Sequence, residues 1–394
     1  MRAADPILLV HCRYTRPGGE DSAYRAEAAL LEANGHEVVR LEVTNDELVA
    51  MPRLQAAART VWNGGAARMV EERVRETGAR LVHVHNTFPL LSPAVYSGAR
   101  RAGARVVQTL HNYRLACPSA LMLRNGMPCE DCVGRSVAWP AVVHGCYRGS
   151  RAASAVVATM LRVHRSRRTW DRDVDAFIAV SAFLRDRVVA GGIPRERVHI
   201  KGPHLAVDPG AGTHDADYVL YAGRLSEEKG VRVLLEAWRH VPDDMRLRIL
   251  GDGPLREDVE RAAKDDARIR FDGNVASGDV IAAMKEARLL VAPSISYEGA
   301  PLVFAEAAAV GLPVVSSGIG AIPESVEHDV TGYLVPPRDP GALAAALTRI
   351  MRDGAQRAAM GRAARRHFER TMSPAVAYDR LMAIYEQVWR ARIT

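Results

Sequence analysis

The chain alternates short β-branched apolar runs with longer Ala/Leu/Arg stretches of helical period. In the first half, strands are expected at Ile7 to His11, Glu37 to Glu42, Leu81 to His85, Arg105 to Leu110, Ala176 to Val180 and Val198 to Lys201. The rhythm restarts at Tyr218 to Ala222, Leu247 to Leu250, Ile269 to Asp272, Leu289 to Ala292, Val314 to Ser316 and Gly332 to Val335. This alternation predicts an α/β chain with two Rossmann-like, doubly wound parallel sheets covered by helices on both faces. Between them, Gly202 to Asp217 holds Pro203, Pro209, Gly210 and Gly212 and no apolar period, so it reads as a linker. The expected division is a first domain over 1–205, a second over 206–373 and a C-terminal helix within 374–394. That helix, Pro374 to Arg392, has an apolar stripe of Tyr378, Leu381, Met382, Ile384, Tyr385 and Val388 that the second sheet does not need. It is expected to cross back and pack on the first domain. Two such sheets imply a cleft, with the ligand outside the C-terminal ends of the strands.

The 394 residues are 48% hydrophobic and 25% charged, enough apolar mass for two cores. No run of eighteen apolar residues occurs, and the N-terminus lacks a signal-peptide layout. A soluble, cytoplasmic protein is expected. The formal charge of +7 invites a nucleic-acid reading, yet only four of the 53 basic residues are lysine. That skew, with abundant Ala, Val and Gly, matches the codon bias of a GC-rich genome. No basic stripe studded with aromatics appears, so nucleic acid is not an expected partner.

The segment from Tyr297 to Gly311 is the most informative. It follows a strand, places Pro301 at the start of a helix that ends at Gly311, and is apolar on nearly every helical face except at Glu306. A carboxylate buried there costs several kcal/mol unless something pairs with it. Glu298 lies in the preceding loop, where a ligand would sit, and carboxylates accept hydrogen bonds from vicinal hydroxyls of a ribose or hexose. Earlier, Tyr218 to Gly230 reads as strand, tight loop and helix start, with Arg224 and Lys229 where backbone amides already favour an anion. Together they could clamp a diphosphate. The competing reading has Glu227 and Glu228 neutralise them on a wet surface. In the first half, Arg16-Pro17-Gly18-Gly19-Glu20 joins the first strand to the first helix, and Gly18 and Gly19 would let amides approach a phosphate or sugar. His111 and Asn112 end a strand on the ligand side.

These residues in combination resemble the retaining glycosyltransferases of family 4, which have the GT-B architecture. The resemblance spans Pro17-Gly18-Gly19-Glu20, Thr109-Leu110-His111-Asn112, Ala179-Val180-Ser181, Gly223 to Gly230, Leu250-Gly251-Asp252-Gly253-Pro254, the Glu298 and Glu306 pair, Glu324, and Thr331 to Val335. It implies a nucleotide-diphosphate sugar donor held by the second domain and a hydroxyl acceptor, whether a polysaccharide, a lipid carrier or a natural product, brought by the first. By resemblance Glu306 holds the ribose, Arg224 and Lys229 the diphosphate, and Glu298 with Gly299, Ala300, Pro301 and Leu302 the donor sugar. Gly18 and Gly19 approach the phosphates, and His111, beside Asn112, contacts the sugar. Gly223, Gly251 and Gly253 line the donor loops, and the base lies near Asn274 and Val275. The resemblance further implies catalysis without a metal, with the departing phosphate taking the acceptor's proton. A sugar-nucleotide epimerase or phosphorylase would share this shape. An NAD-dependent oxidoreductase is disfavoured by the missing G-x-G-x-x-G, and an exported two-lobed sugar receptor by the missing signal peptide.

Cys117, Cys129, Cys132 and Cys146 fall within an insert at about 115–150. Their spacing suits a structural zinc, disulfides, or four unrelated thiols. The following stretch, Arg148 to Arg172, surrounds the apolar run Ala155 to Leu161 with arginines. It reads either as a helix packed on the first domain or as a peripheral contact with an anionic membrane on its inner face.

Overall fold

The computed structural model describes residues 5–15, 18–48 and 50–390. Arg16, Pro17 and Arg392, singled out above, lie outside the described residues. In chain order the strands are β1 (Ile7–Arg13), β2 (Val38–Thr44), β3 (Leu81–Asn86), β4 (Arg105–Leu110), β5 (Leu123–Arg124), β6 (Met127–Pro128), β7 (Ala176–Ala179) and β8 (Val198–Ile200). The second series is β9 (Val219–Ala222), β10 (Leu247–Leu250), β11 (Ile269–Gly273), β12 (Leu289–Ala292), β13 (Val314–Ser317) and β14 (Gly332–Val335). Each expected strand is present to within two residues at either end.

Two compact units form, one from Met1–Met122, Cys129–Gly202 and Pro374–Thr394, the other from Leu123–Pro128 and Pro203–Ser373. The first holds a six-stranded sheet in the order β2-β1-β3-β4-β7-β8, the second one in the order β11-β10-β9-β12-β13-β14, and every pairing in both is parallel. Ile7, Leu8, Leu9 and Val10 are all buried, as a strand covered on both faces requires. Strand order reverses between β1 and β3 in the first sheet and between β9 and β12 in the second. The sequence reading overlooked the antiparallel β5-β6 hairpin, whose residues group with the second unit. There Arg338 reaches Met127 Sδ.

The final helix, Pro374–Arg390, completes the first unit's core. Leu381, Ile384, Tyr385 and Val388 pack with Ile7, Leu9, Leu31, Leu81, Val107 and Ile178. Its polar edge is tied in as well. His36 Nε2 meets Tyr378 Oη at 2.9 Å, and Arg80 stacks over Trp389. The arginine-flanked helix Arg151–Ser166 turns its apolar face inward, where Val157, Met160 and Leu161 cluster with Phe88. His164 there stacks on Trp62 and bonds the Val61 carbonyl. Its neighbours are the helices Arg53–Val61 and Trp139–Val143. No helix among the described residues is long and apolar enough to cross a membrane.

Leu381 is fully buried, so Leu381→Ala should lower stability by about 2–5 kcal/mol. Denaturant unfolding of the full chain checks this. An unchanged midpoint would mean that the helix is not part of the core.

Candidate functional site

In the second sheet the order reversal leaves a gap between the loops that follow β9 and β12, the position where open α/β sheets bind ligands. The first loop ends in a 3-10 turn, Glu227–Lys229, closed by Gly230 at φ +72°. A Cβ on Gly230 would lie 1.8 Å from the Pro293 carbonyl, so only glycine lets the two loops meet. Ile295 N donates to Glu228 O at 3.0 Å and stitches them together.

This contact brings Lys229 Nζ to 2.7 and 2.9 Å from the two carboxylate oxygens of Glu298. Ser294 Oγ donates to Glu298 Oε1 at 2.7 Å. Glu227 pairs instead with Arg232 at 3.1 Å, so it is not what neutralises Lys229. The Arg224 carbonyl accepts from Tyr221 Oη at 2.8 Å, while its side chain is exposed and makes no hydrogen bond or ion pair among the described residues. The loop after β13 supports Glu298 from behind. Ala321 N bonds Glu298 O at 3.1 Å, and Gly320, at φ +62°, would bring a Cβ to 2.8 Å from Glu298 N. No sequence signal marked Gly320, because its partner is 22 residues away.

The helix Leu302–Val310 is apolar all round because it is covered on two sides. Phe304, Ala307 and Val310 face the sheet, while Ala305, Ala308 and Ala309 face Ala364, Phe368 and Met372. Pro301 is its N-cap and not its first residue; Phe304 N bonds back to the Pro301 carbonyl at 3.2 Å, and the amides of Leu302 and Val303 ahead of it have no preceding helical carbonyl to bond. Gly299 and Ala300 lie in the loop just before it. Glu306 is half-buried with no hydrogen-bond partner among the described residues, and burial raises its pKa above the usual carboxylate range.

Gly251 and Gly253 receive a different explanation from the one expected. A Cβ at Gly251 would meet Gly223 O at 1.9 Å, and one at Gly253 would meet Leu225 O at 2.4 Å. Close packing of the β9 and β10 loops therefore accounts for both. Gly223 itself has only ordinary contacts, the nearest being Tyr221 Oη at 3.6 Å from such a Cβ. After β11, Asn274 is exposed and Val275 packs against the core, while Asp272 is held by Arg248 at 2.7 Å and Arg270 at 2.6 Å.

In the first unit, neither Gly18 nor Gly19 needs to be glycine for its own fold, since a Cβ at either would have nothing within 4 Å. Gly18 N is already taken, donating to Asp21 Oδ2 at 2.8 Å, so the amide of Gly19 is the better placed of the two to meet a ligand. Asp21 also binds His11 Nε2 at 2.9 Å. Burial works against ionisation of Asp21, but His11 and the Gly18 amide hold it below its usual range. Asn112 Nδ2 donates to Glu20 Oε1 at 2.5 Å.

His111 joins a row of histidines that the sequence reading passed over. His83 and His85 alternate on one face of β3, and His85 Nδ1 lies 3.1 Å from His111 Nε2. Two histidines in an otherwise apolar strand were the available signal. Burial pushes His83 down to about 4 and His111 to about 3, against the pull of Glu27, and burial with the neighbouring histidines takes His85 well below the usual value, so all three are neutral. His85 Nε2 is buried with no hydrogen-bond partner. A buried orphan N–H is rarer than a buried orphan acceptor, so the shared proton belongs on His85 Nδ1, and His111 carries its own on Nδ1. A cavity of about 50 Å³ opens here, lined by His85, Asn86, His111, Asn112 and Arg114 among others.

Glu27, His83 and His85 offer ligating atoms within 4.8 Å of one another, the one such group among the described residues. Lys201 Nζ is 2.6 Å from Glu27 Oε2, and the ring nitrogens of His83 meet Tyr385 Oη and Thr109 Oγ1 at 2.7 Å each. A lysine thus supplies the cation. Among the described residues, no three of the four clustered cysteines bring their sulfurs within 4.8 Å of one another. Cys117 Sγ turns to Ser119 Oγ at 3.2 Å. Burial raises the Cys132 thiol to about 11, with smaller contributions from the other three thiols.

Two family models match the chain: "Glycosyltransferase Family 4" over residues 18–201 and "Glycosyl transferases group 1" over 216–353. An amylovoran biosynthesis glycosyltransferase of Erwinia amylovora is 29% identical over 54% of this chain and 56% of its own, so the match spans little more than half of that protein. A phosphatidyl-myo-inositol mannosyltransferase of Mycobacterium leprae is 29% identical over 94% of both chains. Among solved structures, the Anabaena protein HepE in complex with UDP and glucose superposes with a TM-score of 0.69 at 17% identity, covering 96% of this chain and 99% of that one.

The raised pKa of Glu306 carries a stability consequence. An acid whose folded pKa exceeds its unfolded value costs stability increasingly as pH rises through that interval. Glu306→Gln should therefore melt higher than the parent at pH 7 without ligand, and the gain should vanish towards pH 4. Thermal melts at both values check the sign. A lower melting temperature at pH 7 would show that the carboxylate has a favourable partner.

Proposed function

The chain belongs to family 4 of the glycosyltransferases, with their GT-B pair of domains, and from that premise we propose that it moves a sugar from a nucleotide diphosphate to a hydroxyl acceptor with retention of anomeric configuration. The observation that carries this reading is the juxtaposition of Lys229 and Glu298 at the reversal point of the second sheet, next to an unpaired Arg224.

In this reading Arg224 forks onto the diphosphate and Lys229 acts as a point charge on it, helped by the free amides ahead of Val303. Glu306 accepts the ribose hydroxyls, which explains a half-buried carboxylate kept without a protein partner. Glu298 accepts hydroxyls of the transferred sugar. In the first unit, His111 offers its Nδ1–H to a sugar hydroxyl, its tautomer fixed by His85. The acceptor oxygen then bonds to the anomeric carbon as the bond from that carbon to phosphate breaks, and the acceptor's proton passes to the leaving phosphate oxygen on the same face. Charge grows on the diphosphate during this step, where preorganised cations act most strongly. No step in the scheme needs a metal.

Donor binding must exchange partners, because Lys229 and Glu298 satisfy each other beforehand. Glu298→Gln should therefore bind UDP, GDP or ADP more tightly than the parent does, while losing turnover. Calorimetry with the three nucleotides and a coupled assay of nucleotide release read the two effects. Weaker nucleotide binding in this variant would overturn the exchange.

Arg224→Ala and Lys229→Ala should each lower kcat by about 10² to 10³. Glu306→Gln should act more on the donor's KM, since ribose contacts are the same in ground and transition states. Full turnover in the double Arg224→Ala, Lys229→Ala variant would remove the diphosphate clamp. A thermal-shift panel selects the donor base beforehand, because a ligand at a hundred times its Kd adds about 2.7 kcal/mol.

A further inference from the structure

The second unit has a cavity of about 510 Å³ at the edge where β12 and β13 begin, the opposite end of the sheet from Lys229 and Glu298. Arg288 and Pro313, the residues just before those strands, line it. So do Gly212 and His214 of the linker, and one face of the helix Gly354–Thr371. Five arginines surround the space: Arg288, Arg357, Arg362, Arg365 and Arg366.

Carboxylates account for two of them. Arg288 pairs with Asp217 at 2.7 Å, and Arg365 grips Asp208 through two contacts of 2.6 Å, with Glu369 at 2.8 Å. The other three have no hydrogen bond to a carboxylate. Arg357 donates only to the carbonyls of Ile350 and Met351, at 3.0 and 2.8 Å. Arg362 and Arg366 make no hydrogen bond or ion pair among the described residues, although they stand four apart on one helix, where like charges repel. Codon bias explains why these residues are arginine instead of lysine, but not why Arg362 and Arg366 lack an acid partner among the described residues.

Burial, and after it the Arg288 charge, lowers the Arg357 pKa from its ordinary value, against the pull of Asp217 and Asp353. Such crowding is unfavourable without a counter-anion. The helix begins at Gly354 on the cavity wall, so its positive dipole end adds to the same potential.

We infer that this cavity is a second anion site, remote from the donor end, that takes a small ligand bearing two or more phosphate groups. Arg362 and Arg366, with no ion pair among the described residues, and Arg357, whose guanidinium bonds only carbonyls, present positive charge to the space, and forked donors suit phosphate oxygens. The volume admits a ligand of nucleotide size.

Tripolyphosphate is the probe, titrated calorimetrically into the full-length protein. Because the donor end also binds phosphates in the reading above, the titration is repeated in Arg224→Ala, Lys229→Ala. Saturable binding should persist there. It should weaken by at least about tenfold in Arg357→Gln, Arg362→Gln, Arg366→Gln. Should that triple variant fold poorly by thermal melt, Arg362→Gln, Arg366→Gln alters only exposed side chains and should still weaken binding measurably. Unchanged affinity in both arginine variants overturns the site. Loss of all binding in the donor-end variant does so too, while leaving the donor reading intact.

Discussion

Every strand in each six-stranded sheet runs the same way, and this parallelism governs where chemistry can occur. It sends all the loops that follow strands out of one edge, and the reversal of strand order leaves a place there where two loops face each other without a strand between them. In the second unit that place receives Lys229 from one loop and Glu298 from the other, 69 residues apart in sequence. In the first unit the same rule lines up the ends of β1, β3 and β4, and with them His11, His85 and His111. Opposite charges converge in one unit and imidazole rings in the other.

Much of this was legible in the sequence because it rests on local signals. Apolar runs of fixed length, and a helix apolar on every face but one, located the strands and Glu306 without any knowledge of partners. What escaped were relations across the sheet. The glycines at 251 and 253 look like ligand-cradling residues in sequence, yet each is required by a backbone carbonyl of the neighbouring loop. Gly18 looks like a free amide, yet Asp21 three residues later takes it. His85 stands in the sequence only as the end of an expected strand, because a single imidazole reveals nothing until its partner on the next strand is known. The cysteine spacing is informative only in part: Cys132 feels the charge of the other three thiols, yet no three sulfurs come within 4.8 Å of one another among the described residues.

The two units solve the problem of buried polarity differently. The first keeps Glu27 and Lys201 as a close ion pair inside the core and lets burial hold His83, His85 and His111 neutral. The second leaves Glu306 short of partners on a helix clamped between the sheet and the helix Gly354–Thr371. The backbone that carries this half-buried carboxylate is held on two sides, which fixes the point from which it reaches whatever hydroxyls arrive.

The first unit is discontinuous in the chain, and that governs its assembly on the ribosome. Its core needs Leu381, Ile384, Tyr385 and Val388, which emerge only after the whole second unit has been made. Until then the nascent N-terminal half exposes the face of Ile7, Leu9 and Leu81 that the last helix covers, and His83 lacks the hydroxyl of Tyr385. Vectorial synthesis therefore completes the second unit before the first, the reverse of the usual order. A message cut short before residue 374 yields a chain with an open apolar face, a substrate for chaperones and proteases instead of a partial enzyme.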